Sequence, residues 1–511
     1  MAVPRPTLLR SIPIRDLAVL VGAADPGSAA LVTGVTLDSR GVLPGDLYAA
    51  LPGSRAHGAD YAASAVGAGA TAVLTDPDGA HRVRSAGLTV PLIVVERPRA
   101  VLGEVAARVV GTEDLDLRLV GITGTNGKTT TAHLVHSALK ALGRRPGLIG
   151  TVETRIGDER LDSVRTTPEA PELHAVLAVM AERGLDTCVM EVSSHALAQH
   201  RVDGVVYDVA LFTNLSRDHL DFHADMDDYF AAKASLFTPE RARLGLVCVD
   251  DEWGRRLVER AGIPVQTLGA RSGADWQVTV DVTDPSRFRL AAEGVDLDLR
   301  SSLPGDFNVT NTAMAAAALV LLGEDPQEVG RAVLTDPHVP GRMETVAGEG
   351  GPAPRVVVDY AHTPEAIRAA LHALRPTTPG RLVCVTGAGG DRDRDKRHAM
   401  GAAAASAADL VVVTDDNPRS EDPASIRAAV LEGVESVRAS GRPVEVLVVG
   451  DRREAIRAAV RAVWGEGRSA TVAVVGKGHE RGQDVGGVVQ PFDDREEVRE
   501  ALRHAAGEGA A

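Results

Sequence analysis

The stretch Gly121-Ile-Thr-Gly-Thr-Asn-Gly-Lys-Thr-Thr-Thr131 constrains the fold of this chain more than any other. The apolar run 117–122 in front of it predicts a buried strand, and apolar residues at helical spacing from Leu134 to Leu142 predict a helix behind it. A glycine-rich turn between a strand and a helix can point its backbone N–H groups inward at the positive end of the helix dipole. The sequence therefore predicts an α/β sheet that binds a nucleotide triphosphate at this turn.

The residues of this loop have separate expected roles. Lys128 supplies a full positive charge for the terminal phosphates, and the hydroxyl of Thr129 or Thr130 can reach Mg²⁺. The loop is not a strict Walker A motif, because the first glycine of that motif would fall at Ile122. The ATP-binding residues expected here are Gly124, Thr125, Asn126, Gly127, Lys128, Thr129 and Thr130.

Length, composition and charge restrict the class of protein. A chain of 511 residues is too long for one core and predicts about three domains. The net charge of −15 disfavours nucleic acid and anionic membranes as partners, and no signal peptide or membrane-spanning run appears. We expect a cytoplasmic, monomeric protein that acts on small molecules.

The three cysteines indicate no separate site. Cys188, Cys248 and Cys384 each lie within an apolar, strand-like run. Residues in such runs are usually buried, so we expect reduced thiols without a redox or metal-binding role.

Three units are predicted along the chain. Residues 1–112 form a small α/β unit with helices at 61–68 and 99–110. Residues 113–341 alternate strand and helix, which predicts a doubly wound parallel sheet. Within this unit, the period-two stretch 276–299 predicts an antiparallel appendage, and the Ala-rich stretch Phe307–Leu322 predicts a buried helix. The alternation restarts in residues 342–511, a Rossmann-like unit with helices at 364–374, 426–437 and 453–463.

Polar residues follow two strands of the central unit, where such sheets bind ligands. Glu191 follows the strand 187–190, and His219 ends the loop after the strand 209–213. These side chains either ligate a phosphate-bound metal or are satisfied by local capping, and the phosphate loop in the same sheet favours the first interpretation. Lys233 lies in an Ala-rich helical stretch and, on composition alone, is predicted to be an exposed helical lysine.

The third unit carries three polar loops at predicted strand ends, 389–397, 416–419 and 476–480. Arg392 and Arg419 suit a carboxylate because a guanidinium binds it bidentately, whereas Asp416 and Glu480 suit an amino group. A ligand with both groups is an amino acid. The residues alone leave open whether the loops converge on one ligand or are separate solvated loops.

Taken together, the motifs resemble the Mur ligase family over nearly the whole chain and in the expected order. They are the loop 123–130, Glu191-Val-Ser-Ser-His195, Asn214-Leu-Ser-Arg-Asp-His-Leu-Asp-Phe-His223, Gly305-Asp-Phe-Asn-Val-Thr-Asn311, Gly341-Arg-Met-Glu344 and Asp359-Tyr-Ala-His-Thr-Pro364. Asp416-Asn-Pro-Arg419 with Gly476-Lys-Gly-His-Glu480 is similar to the members that add 2,6-diaminopimelate. Members that add lysine differ at the position of Arg419, whose charge would meet the distal carboxylate that lysine lacks.

The resemblance implies further site residues. It implies that the uridine nucleotide is held by Leu37, Ser39, Ser54, Arg55 and Ala56, and the muramoyl-dipeptide by Thr166, Thr167, Ser193, Gln199 and Arg201. It adds Asn308, Asn311, Arg342, Asp359 and His362 to the ATP site, and it implies a diaminopimelate site of Arg392, Asp416, Asn417, Pro418, Arg419, Gly476 and Glu480. One position departs from the pattern: Arg165 stands before Thr166, where related diaminopimelate enzymes can carry Asn.

The resemblance also changes the expectation for Lys233, because it implies that this lysine is carbamylated. A carbamate is an anion that can ligate Mg²⁺, which an ammonium cannot do. The implied metal ligands are Thr129, Thr130, Glu191, His219 and Lys233, and the implied catalytic residues are Lys128, Glu191, His219 and Lys233.

The activity that the resemblance implies is ATP-dependent ligation. The enzyme would join 2,6-diaminopimelate to the D-glutamyl carboxylate of UDP-N-acetylmuramoyl-L-alanyl-D-glutamate through an acyl phosphate. A sister ligase that adds lysine, or a folate-type polyglutamate synthase, would share the central loop but lack the Arg419 pocket. An inactive nucleotide-binding protein with the same fold is a third alternative, and the joint presence of Lys128, Glu191, His219 and Lys233 argues against it.

Overall fold

Three larger sheets follow one another along the described part of the chain and give the protein its α/β architecture. The computed structural model describes residues 4–53, 55–163, 165–335, 337–346 and 352–508. The sheet strands lie at 34–94, 118–300 and 344–475, one range for each predicted unit. The predicted fold class is confirmed, while the boundaries near residues 112 and 341 stay predictions.

The first unit is built on a small parallel sheet. Its strands are β1 (Ile12–Pro13), β2 (Leu31–Val32), β3 (Gly34–Thr36), β4 (Asp46–Ala50), β5 (Ala72–Thr75) and β6 (Leu92–Val94), and its helices are α1 (Ile14–Leu20), α2 (Ala62–Gly67), α3 (Pro77–Ser85) and α4 (Pro98–Val110). Strands β3 to β6 pair in parallel in that order. Alternate residues of β4 enter the two apolar clusters on opposite faces of the sheet, so both faces are covered.

The second unit contains the largest sheet. Its strands are β7 (Arg118–Thr123), β8 (Pro146–Ile149), β9 (Glu153–Ile156), β10 (Glu159–Asp162), β11 (Thr187–Glu191), β12 (Tyr207–Phe212), β13 (Ala242–Cys248), β14 (Val265–Gly269), β15 (Trp276–Val280), β16 (Arg287–Ala292) and β17 (Val295–Arg300). Its helices are α5 (Lys128–Ala141), α6 (Ala170–Glu182), α7 (Ser194–Ala198), α8 (Met226–Ala234), α9 (Glu252–Arg260), α10 (Asp306–Leu321) and α11 (Pro326–Ala332).

The order of these strands places the phosphate loop at a topological switch point. The sheet runs β10-β9-β8-β11-β7-β12-β13-β14-β15-β16-β17, parallel from β8 to β15 and antiparallel at both ends. Strand β7 lies between β11 and β12. The chain leaves β7 towards β8 on one side and leaves β11 towards β12 on the other, so a crevice opens at the carboxyl ends of these strands. The antiparallel appendage predicted at 276–299 is confirmed as β15–β17, which continue the same sheet.

Helix α10 confirms the prediction of a buried Ala-rich helix. Residues 313–319 of this helix are fully shielded from solvent, and they belong to the apolar cluster that α5 also enters. Alanine side chains let two helices approach closely without polar groups to satisfy. This packing fixes α5, and with it the start of the helix behind the phosphate loop.

The third unit is a second parallel sheet with helices on both faces. Its strands are β18 (Glu344–Val346), β19 (Arg355–Asp359), β20 (Leu382–Thr386), β21 (Leu410–Val413), β22 (Glu445–Val448), β23 (Thr471–Val475), β24 (Gly482–Val485) and β25 (Val488–Pro491). Its helices are α12 (Pro364–Leu374), α13 (Lys396–Ala407), α14 (Pro423–Ala439), α15 (Arg452–Ala462) and α16 (Asp494–Glu508). The main sheet runs β18-β19-β23-β20-β21-β22, while β24 and β25 form a separate hairpin.

Two expectations about the whole chain can be compared with the structure. The three cysteines are buried and free, and burial raises the pKa of each thiol, as expected for residues inside apolar strands. Among the described residues, no helix combines the length and apolarity needed to cross a bilayer.

The junction between the second and third units is conformationally restricted. The backbone angle φ is positive at His338, Gly341 and Met343, with values of 44°, 64° and 47°. A Cβ atom at Gly341 would overlap the backbone of Gly478 and His479, which lie beyond the end of β23. The path of the chain into the third unit therefore depends on a residue without a side chain at this position.

We expect Gly341→Ala to lower the Tm of the protein by several degrees. The left-handed conformation alone costs a residue with a Cβ about 1–2 kcal/mol, and the overlap with rigid backbone adds to that cost. Thermal unfolding followed by circular dichroism measures the change. Gly67→Ala is the matched control, because a Cβ at Gly67 meets no atom within 4 Å and the residue lies in α2. Equal Tm values for both variants would contradict the restriction.

Candidate active site

A crevice of about 850 Å³ opens at the carboxyl ends of β7, β11 and β12. Residues of both the second and the third unit line it, so the site is formed between units. Among the residues expected from the sequence, the lining contains Thr125, Asn126, Gly127, Lys128, Thr129, Thr130, Thr166, Glu191, Ser193, Arg201, His219, Asn308, Asn311, Arg342, Asp359, His362 and Arg392.

The phosphate loop has the conformation that its glycines predict. Gly124 and Gly127 have φ values of 145° and 86°, and a Cβ at Gly127 would overlap Oδ1 of Asn311. Nζ of Lys128 donates to the carbonyl oxygens of Gly124 and Thr125, both at 2.9 Å. The lysine therefore folds back over its own loop, and its charged end lies where terminal phosphates would lie.

Side chains that follow β12 brace this loop from the opposite side. The backbone N–H of Thr125 donates to the carbonyl oxygen of Asn214 at 2.9 Å, and that of Asn126 donates to Oδ1 of Asn214 at 2.9 Å. Oγ1 of Thr125 lies 3.1 Å from the hydroxyl of Tyr229 in α8. The loop is thus held from two neighbouring elements.

Glu191 lies at the end of β11 with its carboxylate buried. One oxygen, Oε2, accepts from Oγ1 of Thr129 at 2.9 Å and from Oγ1 of Thr151 at 3.0 Å. The other, Oε1, accepts from the backbone N–H of Thr151 at 2.8 Å. This carboxylate therefore reaches the first turn of α5, which contains Thr129, one of the two threonines expected at Mg²⁺.

Lys233 is buried, so the interpretation of an exposed helical lysine is wrong. Its Nζ donates to the carbonyl oxygen of Gly124 at 2.8 Å and lies 4.8 Å from the centre of the Tyr229 ring. Burial lowers the pKa of Lys233 well below its usual value, and the charge of Lys128 lowers it further, against a smaller effect of Asp218. The side chain points under the phosphate loop because the inner face of α8 packs against it.

His219 is held in a strained backbone conformation, with a φ of 55°. Its Nε2 lies 3.6 Å from Oδ2 of Asp218, and its ring meets that of His195 edge to face at 4.9 Å. Desolvation lowers the pKa of His219 to about 3, so the imidazole is neutral at pH 7 and has a lone pair available for a metal.

Asp218 connects the second unit to the third. Its carboxylate lies 3.7 Å from Nε2 of His362 and 3.9 Å from Nζ of Lys396. Burial alone would raise the pKa of Asp218, but the adjacent His362, His219 and Lys396 outweigh burial and hold it well below the usual range. The carboxylate is therefore charged and attracts the third unit.

Arg342 makes a second connection between the units. Its Nη2 donates to Oγ1 of Thr129 at 3.1 Å, and its guanidinium stacks over the ring of Tyr360 at 4.2 Å. The stack fixes the direction of the guanidinium, which thereby reaches the start of α5. A cation from the third unit lies beside the phosphate loop.

The remaining residues expected at ATP are anchored by short local bonds. Asp359 accepts from the backbone N–H groups of Met343 at 2.7 Å and Ala361 at 2.8 Å. Nδ2 of Asn308 donates to the carbonyl oxygen of Pro304 at 2.8 Å, and Nδ2 of Asn311 donates to Oδ1 of Asn308 at 3.1 Å. These side chains have fixed positions at the crevice wall.

The residues expected to hold the muramoyl-dipeptide lie around the end of β11. Oγ1 of Thr167 donates to the carbonyl oxygen of Glu191 at 2.8 Å, and Nη2 of Arg201 donates to Oε1 of Gln199 at 2.6 Å. Thr166 and Ser193 line the crevice beside them. Thr167 and Gln199 do not line the crevice, but they contact Glu191 and Arg201, which do.

The loops at 416–419 and 476–480 converge, and the alternative of separate solvated loops is wrong for them. Nδ2 of Asn417 donates to Oε2 of Glu480 at 3.0 Å, and Nζ of Lys477 reaches Asp416, Asn417 and Glu480. Pro418 and Arg419 continue the first loop, and Gly476 begins the second with a φ of 117°.

The third loop, 389–397, brings Arg392 to the crevice. Its Nη1 donates to Oδ2 of Asp221 in the second unit at 2.9 Å. Arg419 lies against the same loop, where its Nη1 donates to the carbonyl oxygen of Gly390 at 2.6 Å. Arg392 belongs to this loop and Arg419 contacts it, so the two arginines expected to bind carboxylates lie at the same loop. Arg392 also contacts a carboxylate of the protein, that of Asp221.

The residues expected at the uridine nucleotide lie apart from this crevice, in the first unit. Arg55 and Ala56 are exposed, and Leu37 and Ser39 are half-buried. Ser54 lies outside the described residues. No contact in the structure tests this group, and it stays a prediction.

Several side chains at the site were not singled out from the sequence. Asp218 and Lys477 lie within motifs that the sequence analysis noted, but they received no role there. Lys396 closes a charged run, and Tyr360 lies between two expected ATP residues. Thr151 belongs to none of these motifs, and only its position after β8 could have identified it.

The metal expectation requires donors of mixed type. In the ranges that the structure describes, no three His, Cys, Asp or Glu side chains are grouped so that they could hold a metal ion. A hydroxyl of Thr129, a phosphate oxygen or a carbamate on Lys233 would have to complete a set with Glu191 and His219.

Comparison with known families gives three matches in chain order. Residues 31–109 match the family described as "Mur ligase family, catalytic domain", residues 122–319 the "Mur ligase middle domain", and residues 341–478 the "Mur ligase, glutamate ligase domain". Together these matches cover most of the chain.

Curated relatives match over nearly their full length. A UDP-N-acetylmuramoyl-L-alanyl-D-glutamate–2,6-diaminopimelate ligase of Streptomyces coelicolor is 53% identical and covers 99% of both chains. A protein of the same name from Corynebacterium glutamicum is 48% identical over 92% of both. A UDP-N-acetylmuramyl-tripeptide synthetase of Leifsonia xyli subsp. xyli is 47% identical over 99% of both.

Solved structures share the arrangement of the chain. A structure of a UDP-N-acetylmuramoyl-L-alanyl-D-glutamate–2,6-diaminopimelate ligase has a TM-score of 0.66 and 30% identity, over 97% of this chain and 100% of that chain. MurF from Acinetobacter baumannii has a TM-score of 0.66 at 18% identity, over 97% of this chain and 99% of that chain, which shows similarity of fold alone.

Proposed function

Because the chain belongs to the Mur ligase family, we propose that it joins 2,6-diaminopimelate to the D-glutamyl carboxylate of UDP-N-acetylmuramoyl-L-alanyl-D-glutamate at the expense of ATP. The reaction supplies a peptidoglycan precursor and releases ADP and phosphate. The observation that carries this proposal is that Lys128 of the phosphate loop and Arg392 of the amino-acid loops line one crevice. A phosphoryl donor and an amino acid can therefore meet there.

The chemistry explains why ATP is needed. A carboxylate is a poor acyl donor because its leaving group would be oxide. Transfer of the γ-phosphate to the D-glutamyl carboxylate gives an acyl phosphate and ADP. The amine of diaminopimelate then attacks the acyl carbon, the tetrahedral intermediate collapses, inorganic phosphate leaves, and the nitrogen loses a proton. No covalent bond to the enzyme is required.

Positioned positive charge is the main contribution of the chain to the first step. Lys128 of the second unit folds over the phosphate loop, and Arg342 of the third unit donates to Oγ1 of Thr129. Both cations can neutralise charge on the transferring phosphoryl group, in a crevice where water is partly excluded. Arg342 approaches only when the third unit is docked, which links phosphoryl transfer to closure.

We propose Mg²⁺ as the cofactor, held by Glu191, His219, carbamylated Lys233 and Thr129 or Thr130. The chemistry of these donors fits the ion, because Glu191 offers a buried carboxylate and His219 a neutral imidazole. When bound, Mg²⁺ would draw charge from the phosphate oxygens. Lys128 and the backbone of the loop orient the same phosphates.

The burial of Lys233 supports its carbamylation. Burial lowers the pKa of this lysine strongly, so the neutral amine, which is the nucleophile, is favoured. The amine nitrogen forms a bond to the carbon of CO₂, one C=O π bond becomes the carbamate oxygen anion, and a proton is released to solvent. The product replaces a buried amine with an anion directed at the loop.

Substrate binding would be divided among the units. We propose that the uridine nucleotide lies on Leu37, Ser39 and the segment 54–56, and the dipeptide on Thr166, Thr167, Ser193, Gln199 and Arg201. Diaminopimelate would lie on Arg392, the segment 416–419, Gly476 and Glu480. We further propose that the protein acts as a cytoplasmic monomer on these small molecules, which sedimentation equilibrium can test.

Substrate profiling tests the proposed function. We expect ADP release with the UDP-linked dipeptide and 2,6-diaminopimelate, and little release with lysine, because Arg419 would then lack a carboxylate to pair with. The meso and LL stereoisomers are offered separately, and glutamate with a folate acceptor serves as the comparison. Release with lysine alone, or with the folate acceptor alone, would contradict the proposal in favour of a sister ligase.

We expect Lys128→Ala to lower kcat for ligation about 1000-fold, because it removes the charge nearest the terminal phosphates. Diaminopimelate binding, measured by isothermal titration, should stay close to wild type. Lys140→Ala is the matched control, since Lys140 lies exposed at the other end of α5 and pairs with the exposed Asp158. Comparable turnover in Lys128→Ala would refute the role of the loop.

We expect Lys233→Arg to abolish most ligation, since a guanidinium is positively charged and does not form the carbamate. Wild-type enzyme incubated with ¹³C-bicarbonate should show a carbamate signal by NMR that the variant lacks. Lys140→Arg serves as the control for both measurements. A variant with normal turnover, or a wild-type enzyme without the signal, would count against a carbamate at this position.

A further inference from the structure

One lysine of the third unit has no part in the function described so far. Lys477 follows β23, and its side chain is 0% exposed. Its Nζ donates to Oδ1 of Asn417 at 3.0 Å, lies 3.2 Å from Oε2 of Glu480, and lies 3.5 Å from Oδ1 of Asp416. A single ammonium therefore contacts three side chains that are proposed to hold the amino-acid substrate.

The burial of this ammonium has a strict electrostatic consequence. A buried cation is tolerated only when it is paired and hydrogen-bonded, and Lys477 has two carboxylates and one amide oxygen around it. The two carboxylates carry two negative charges, of which Lys477 offsets one. The nearby cation Arg452 is paired with Asp494, so it leaves this balance unchanged. One negative charge remains for the ammonium of an incoming amino acid.

Lys477 also fixes the orientation of Asn417. An ammonium only donates, so the amide oxygen of Asn417, and not its NH₂ group, must face Nζ. The backbone N–H of Asp484 donates to the same oxygen at 3.1 Å. The NH₂ group is thereby turned to Oε2 of Glu480 at 3.0 Å. Without Lys477 one of the two donors that hold the oxygen in place is lost.

The hairpin of β24 and β25 completes the arrangement from outside. Nε2 of Gln483 donates to the carbonyl oxygen of Asp416 at 2.8 Å. The backbone N–H of Arg419 donates to the carbonyl oxygen of Asp484 at 3.0 Å. The backbone N–H of Gly486 donates to the carbonyl oxygen of Arg419 at 2.7 Å. These bonds hold Arg419 at a φ of 52°, a conformation that a residue with a side chain keeps only under such constraint.

We propose that Lys477 is a positioning residue for the amino-acid substrate. It turns the amide of Asn417, holds Glu480 beside it, and sets the charge of the pocket to match one ammonium group. The inference deepens the proposed function and rests on it. The lysine acts on substrate binding through its neighbours. Its contacts are with Asp416, Asn417 and Glu480 and not with the phosphate loop, so we assign it no part in phosphoryl transfer.

The test compares Michaelis constants for the three substrates in Lys477→Met. Methionine has a similar length and apolar stem but no charge and no donor. We expect KM for diaminopimelate to rise about tenfold or more, while KM for ATP and for the UDP-linked dipeptide stays within about twofold. Lys140→Met is the matched control and should leave all three constants unchanged. An unchanged KM for diaminopimelate, or an equal rise for all three substrates, would overturn the proposal.

A second variant keeps the proposal testable if the loss of a buried charge impairs folding. Lys477→Arg retains the positive charge and the donors, so it keeps the carboxylates paired, but its planar group does not reproduce the three contacts. We expect a folded protein whose KM for diaminopimelate rises less than in Lys477→Met, and only for that substrate. A folded Lys477→Arg enzyme with wild-type KM values would overturn the proposal.

The failure of the proposed function can be told apart from the failure of this inference. If wild-type enzyme releases no ADP with diaminopimelate but does so with another amino acid, the proposed substrate is wrong. The same variants are then measured with the accepted amino acid, and a selective rise in its KM still supports Lys477 as a positioning residue. If wild-type accepts diaminopimelate and the variants bind it normally, only the inference fails.

Discussion

The position of β7 between β11 and β12 determines the rest of the site. Three strand ends meet there, so the phosphate loop, Glu191 and the loop that carries His219 are neighbours although they are far apart in sequence. The phosphate loop packs closely against α10 at Gly127, where a side chain would overlap Asn311. It also needs the support of α8, which places Lys233 beneath the loop. Sheet topology thus converts distant motifs into one pocket.

Electrostatics then connects the units that topology keeps apart. Asp218 and Thr129 lie in the second unit, and each is reached by side chains from the third. His362 and Lys396 lie beside Asp218, and Arg342 donates to Thr129. These contacts are few and partly exposed to solvent, so each contributes modestly. Contacts of this kind suit a boundary that must open and close during each turnover.

The sequence predicted those features that have a local signal. Strand, glycine turn and helix around Lys128 are encoded by neighbours in the chain, as are the period-two strands and the buried helix α10. Helices α3, α13 and α16 were not predicted. The surfaces of α3 and α13 are rich in charge or alanine and give a weak signal. Helix α16 carries apolar residues at helical spacing, Val498, Ala501, Leu502 and Ala505, so its signal was present in the sequence. Composition alone predicts an exposed Lys233, since helical alanines surround it. The family resemblance changes that expectation, and the packing of α8 buries the side chain. The roles of Asp218 and Lys477 depend on partners from distant segments, which no local pattern contains.

The ion pair of Arg392 with Asp221 has a consequence for how an amino acid enters. The guanidinium already carries a carboxylate from the neighbouring unit, at 2.9 Å. An incoming substrate carboxylate would replace the carboxylate of Asp221 at Arg392. The arginine would therefore have one anionic partner both before and after the substrate binds, and its guanidinium would not have to lose a shell of water. The displaced Asp221 would no longer bind the third unit, whereas Arg217 would still pair with Asp393 and Asp395. Binding of the substrate would thus break the ion pair between Arg392 and Asp221, which joins two units, and form an ion pair between Arg392 and the substrate within the pocket.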